Sequence, residues 1–90
     1  MKPVRWTPHA LHELAKREVD RDEVDLTLRL PDAVIPATPV RTFFQRRYLD
    51  HALSETMLLR VLVEETEFEL VIVTLYKTSK LQKYETGSSL

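Results

Sequence analysis

Two runs of alternating apolar residues, 57–64 and 68–78, stand almost end to end, separated by a short polar step at Thr66-Glu67. Alternation with a period of two belongs to a strand, and so short a gap between two strands makes a hairpin. With a three-residue tip, Val61 lies opposite Val73 and Arg60 opposite Thr74. Leu59, Val61, Val63, Val71, Val73 and Leu75 then share one apolar face, while Arg60, Thr74 and Tyr76 share the other.

The second of these strands turns polar partway along. On the face of Leu70 and Ile72 the chain continues with Thr74, Tyr76 and Thr78, then meets Lys77, Lys80 and Lys83. Hydroxyls, a phenol and ammonium groups are what proteins use to hold a phosphodiester. A core strand with a solvated exit is the plainer reading of the same residues.

Two helices precede the sheet. Val4-Arg5-Trp6 is short and strand-like, and Thr7-Pro8 follows as a capping residue with proline at the first helical position. The first helix is predicted over 8–18, with Leu11, Leu14 and Ala15 on one face and His9, Glu13 and Arg17 on another. The second opens at Asp20, with Glu23 three positions on, and ends before Pro31. Val24 and Leu28 form one row on it. Leu26 and Leu30 form a second, which either widens the core contact or offers a surface to a partner or a second copy.

Further strands are predicted at 33–35 and 40–48, around a turn at Pro36 and Pro39. The expected architecture is α+β: two N-terminal helices on one face of an antiparallel sheet of three to four strands. Residues 1–90 make a single domain, with 86–90 a loose tail.

A hydrophobic content of 43% suits one core. With no cysteine there is no disulfide framework, thiolate metal site or cysteine nucleophile. The apolar runs are too short to cross a bilayer, and Lys2, Pro3 and Arg5 interrupt any leader-like stretch, so a cytoplasmic protein is expected. The net charge of −1 argues against coating nucleic acid by bulk electrostatics. Acids gather at Glu18, Asp20, Asp22, Glu23 and Asp25 and again at Glu64, Glu65, Glu67 and Glu69. Arg41, Arg46 and Arg47, like Lys77, Lys80 and Lys83, stand in stretches without acids, and a local basic patch forms if folding joins them.

In their order along the chain, several segments resemble a known family. These are Trp6-Thr7-Pro8-His9-Ala10, Arg17, Asp22-Glu23-Val24, Pro31-Asp32, Gln45-Arg46-Arg47-Tyr48, Leu59-Arg60-Val61-Leu62-Val63-Glu64 and Val73-Thr74-Leu75-Tyr76-Lys77-Thr78-Ser79-Lys80. Together they resemble small bacterial proteins of the RelE, ParE and BrnT toxin superfamily, in a branch described as a domain of unknown function. The resemblance implies two helices on a curved antiparallel sheet, as in microbial ribonucleases and ribosome-dependent toxins that cut messenger RNA. It also implies a toxin role beside a small antitoxin partner. Two positions depart from the family: Glu18-Val19-Asp20 replaces its inter-helix glycine, and Leu30 replaces a polar residue before the proline.

Metal-independent RNA cleavage needs a base, cations for the developing phosphorane charge and an acid. His9 is the candidate acid/base, since imidazole exchanges protons near neutrality and the first turn of a helix favours its neutral form. The alternative for His9 is a helix-start residue bonded to Glu13. Arg60 and Lys77 would stabilise charge, and Tyr76 would stack a base or donate a proton. Thr78 and Ser79 would hold phosphate oxygens, while Arg46, Arg47, Lys80 and Lys83 follow the backbone. His9, His12 and His51 lack a fourth ligand and zinc-site spacing, so neither a metal nor another cofactor is expected. RNA or the ribosome is the expected target. A non-enzymatic module that docks a partner, or forms a homo-oligomer, through Leu26 and Leu30 is the alternative.

Overall fold

The computed structural model describes residues 1–85, so the tail expected at 86–90 lies outside the described residues. The elements are β1 (Val4–Trp6), α1 (Pro8–Lys16), α2 (Arg21–Arg29), β2 (Ala33–Pro36), β3 (Arg41–Asp50), β4 (Glu55–Glu65), β5 (Leu70–Thr78) and α3 (Leu81–Glu85). They build one five-stranded sheet in the order β1-β5-β4-β3-β2. No helix among the described residues is long and apolar enough to cross a membrane.

The α+β class stands, but the expected architecture of two N-terminal helices on three to four antiparallel strands is corrected in two respects. First, the sheet has five strands and is mixed, because β1 pairs in parallel with residues 70–72 of β5. Three residues carry little periodic signal, and their partner lies at the far end of the chain. Second, the helices are not all N-terminal, because the lysine-bearing exit of β5 turns into α3. Thr78 starts that turn by accepting the Lys80 N–H on its hydroxyl at 3.1 Å.

Helix α1 is tied at both ends. Thr7 caps its start, the hydroxyl accepting from the Ala10 N–H at 3.1 Å, with Pro8 in the first turn. At its end Glu18 donates to the Ala15 carbonyl and Val19 to the Leu14 carbonyl, the bonding pattern of a Schellman motif. Glu18 takes φ 54 there, in the left-handed region that glycine ordinarily occupies. The departure from the resembling family's glycine therefore falls where a Cβ is costly.

Ala10, Val19, Val24 and Leu28 pack on Tyr48, Met57, Leu59, Val61, Val63, Leu70, Ile72 and Leu75, with Leu14 partly buried beside them. Leu59, Val61, Ile72 and Leu75 are fully buried, each contributing about 2 kcal/mol by removing apolar surface from water. The Val24–Leu28 row is the one that meets the sheet. On α1, Ala10 and Leu14 carry the contact, and Leu11 and Ala15 are exposed.

The central hairpin differs from its expected register by two residues. Its turn spans 66–69, closed by a Thr66 N–H to Glu69 carbonyl bond of 2.9 Å, and Glu65 pairs with Leu70. Further along, Val63 pairs with Ile72 but Leu62 with Thr74, so Val73 is an extra residue and a β-bulge. Longer turn and bulge each shift the register by one, and a single shift exchanges the faces of a strand. Leu70 and Ile72 therefore enter the core in place of Val71 and Val73. Beyond the bulge Leu75 returns to its expected side, Val61 pairs with Leu75, and Arg60 pairs with Tyr76.

Candidate functional site

Because Leu59, Val61 and Val63 point to the helices, Leu58, Arg60 and Leu62 of β4 point to the other side of the sheet. Arg60 is paired there with Gln45 of β3 and Tyr76 of β5. It is 7% exposed, and its charge is satisfied by neighbours on three sides. Its Nε donates to the Gln45 Oε1 at 3.0 Å, and an Nη donates to the Tyr76 hydroxyl. The guanidinium carbon lies 4.0 Å from the centre of the Phe43 ring and 4.4 Å from that of Tyr84. Tyr84 arrives on α3, anchored by a 2.9 Å bond from the Gln45 Nε2 to its carbonyl. The arginine is thus fixed by two hydrogen bonds, with its charge over two aromatic rings.

The bulge makes this arrangement. Without the extra residue, Leu75 would stand opposite Arg60 and Tyr76 would turn toward the helices. Thr7 holds the bulge, its hydroxyl within 2.8 Å of the Ile72 carbonyl and 3.2 Å of the Val73 carbonyl. The same residue starts α1, and two positions later the His9 Nε2 meets the Thr74 hydroxyl at 3.1 Å. Thr74 and Tyr76 alternate onto one face, about 7 Å apart along the strand. Glu13 is not the partner of His9. It is bonded to Arg17 at 3.1 Å, and although burial raises its carboxyl, the bond to Arg17 and the charges of Lys16, Arg17 and His9 outweigh this and hold it below the usual range.

Lys77 lies on the opposite face, paired with Leu59. Its ammonium is 2.6 Å from the Asp50 carboxylate, with side-chain exposures of 14% and 5%. Asp50 also accepts from the Tyr48 hydroxyl at 3.1 Å and the Leu53 N–H at 3.1 Å. The bonded lysine holds the Asp50 carboxyl below its usual range despite burial. Burial, then the adjacent Asp50 charge, push the Tyr48 phenol far above its usual range. Of the four candidate catalytic residues, the fold brings Arg60 and Tyr76 into contact, sets His9 beside the next residue of that face, and places Lys77 across the sheet.

Arg46 faces the helices, 3.6 Å from the Glu23 carboxylate, while the Arg47 N–H is held by Asp32 at 2.8 Å. Ser79, Lys80, Gln82 and Lys83 line an open depression of about 480 Å³ beside α3, with Thr78 bonded at its start. Leu26 is half-buried and Leu30 is 63% exposed. A cleft of about 310 Å³ between β1 and α2 and another of about 110 Å³ beside Asp50 contain none of the candidate catalytic, RNA-binding or partner-interface residues. Among the described residues, no group of three histidines or carboxylates could hold a metal ion.

Sequence reasoning overlooked Phe43, Gln45 and Tyr84 around Arg60, and Tyr48 and Asp50 around Lys77. Gln45 carried a usable signal, as an uncharged polar residue inside a strand on the face shared with Arg60. Asp50 carried none, since an aspartate just before a turn is ordinary turn chemistry. Compared with known proteins, the chain matches no family model, no curated protein and no solved structure.

Proposed function

We propose that the chain binds single-stranded RNA on the sheet face away from α1 and α2, as the toxin component of a toxin–antitoxin-type pair related to the RelE, ParE and BrnT superfamily. The observation that carries this reading is Arg60, a buried guanidinium in contact with the rings of Phe43 and Tyr84 and tied to Gln45 and Tyr76. Stacked guanidinium and aromatic surfaces are how single-stranded bases are held, and Thr74 with His9 extends the polar strip beside them. Binding is favoured over cleavage as the primary activity, because the ammonium of Lys77 is committed to Asp50 on the other face. Cleavage on this face would rest on His9, bonded to Thr74, as the proton-transfer group, with Tyr76 and Arg60 further along the same face.

Fluorescence anisotropy with labelled single-stranded RNA tests the binding, and incubation with total RNA, with and without ribosomes, tests the cleavage. Saturable binding weakened by Arg60→Lys is expected, the lysine keeping the charge but losing the planar stack. Any cleavage should be lost in His9→Ala. RNA that is neither bound nor cut under these conditions would overturn the proposal.

A second reading has its own observation. Leu30 remains 63% exposed beside half-buried Leu26, which fits a surface for an antitoxin or a second copy. Light scattering over a concentration series, compared between the parent and Leu30→Asp, separates a dimer from a monomer. A monomer at all concentrations would remove the homomeric version.

A further inference from the structure

We propose that Tyr84 occupies a slot suited to any flat unsaturated ring, and that a nucleobase of single-stranded RNA takes its place there. The inference rests on the RNA-binding reading above and adds where a base is held. Arg60 is immobilised by Gln45 and Tyr76, with one ring contact supplied by Phe43 within the sheet and the other by Tyr84 from α3. Phe43 is built into β3, whereas Tyr84 belongs to a helix of five residues at the end of the described chain. The part of Tyr84 that the slot uses is its ring. The Arg60 guanidinium carbon lies over it at 4.4 Å, Tyr76 meets it edge-on at 6.4 Å, and the Lys83 ammonium lies 5.3 Å from its centre. The Tyr84 hydroxyl makes no hydrogen bond among the described residues.

Polar recognition is also available. The Gln45 Nε2 now donates to the Tyr84 carbonyl at 2.9 Å, and departure of α3 would free that donor beside the stacking surface. Bases present carbonyl oxygens and ring nitrogens along their edges, which are the acceptors such an amide needs. Lys83 lies beside the slot and Lys80 lines the neighbouring depression along α3; neither has an ion pair among the described residues, and a phosphate backbone would pass there. Tyr84 is therefore an internal competitor: RNA binds by stacking on Arg60 only after displacing it.

The test compares the parent with Tyr84→Ala by anisotropy, using a short single-stranded RNA and the same oligomer with abasic sites. Removing the competitor is expected to tighten binding by about tenfold, the size of one stacking contact, with no gain for the abasic strand. In the parent protein, the Arg60 Nε–Hε NMR resonance should move on titration with the base-containing strand and stay still with the abasic one. If the parent binds RNA while Tyr84→Ala binds no better and the Arg60 resonance is unmoved, the slot is wrong and the RNA-binding reading survives. If no RNA is bound by either protein, both fall.

Discussion

Thr7 joins two structural events through one hydroxyl, the cap of α1 and the bulge in β5, while its backbone N–H bonds the Ile72 carbonyl at the end of β1. Thr7→Val keeps the shape and removes only the hydroxyl. Loss of the cap and the carbonyl contacts should lower stability by about 1–2 kcal/mol, read from the midpoint of urea unfolding, while Thr7→Ser keeps most of it. A valine variant as stable as the parent would mean that the backbone alone holds the bulge. Glu18 has the opposite character, a residue whose Cβ opposes the conformation its neighbours impose at φ 54. Relief of left-handed strain exceeds the extra freedom glycine has when unfolded, so Glu18→Gly should stabilise by about 0.5–1 kcal/mol. For a domain of this size, that raises the melting temperature by about 2–8 °C. An unchanged or lower melting temperature would show that the Glu18 side chain contributes more than its strain removes.

Between elements, the Asp50–Lys77 pair ties the end of β3 to the end of β5 across β4. With both groups largely buried, removing one leaves the other uncompensated, so Lys77→Met should cost about 3 kcal/mol. Asp50→Leu with Lys77→Met together should cost much less, because no buried charge is left unpaired. The pH dependence follows from the carboxyl's downward shift. Asp50 binds its proton more weakly in the folded than in the unfolded state, so its contribution is complete above about pH 4 and is lost as pH falls through the folded-state value. Acid unfolding of the double variant should lack that component. This pair also marks what the sequence could convey. The strand pattern, the helix starts at Thr7 and Asp20, and the shared face of Arg60 and Tyr76 were legible because they rest on local periodicity and, at Thr7, on capping. The Asp20 side chain makes no cap bond, so the expected capping box with Glu23 is not formed. The fifth strand and the bulge rest on pairing between chain ends and on the Thr7 hydroxyl. Lys77 appeared to belong with Tyr76 because it follows it, yet neighbours in a strand face opposite ways, and its partner Asp50 could be found only in three dimensions.

Over the whole molecule, charges that looked segregated along the chain are largely neutralised in the fold. Lys2 meets Glu65, Arg5 meets Glu69, Arg41 meets Glu64 and Arg46 approaches Glu23. The expected basic patch is accordingly small on the proposed RNA face, where Arg60 is buried and Lys80 and Lys83 are exposed cations without an ion pair among the described residues. A protein that neutralises two or three phosphates of a single strand should show log K falling with log salt at a slope of about −1.4 to −2.1. Lys80→Gln and Lys83→Gln should each reduce that steepness by about 0.7, whereas Lys77→Met should leave it unchanged, since its charge is turned to Asp50. Titrations at several salt concentrations distinguish this from bulk attraction. A slope several-fold steeper, unaffected by Lys80 and Lys83, would place the RNA on another face of the molecule.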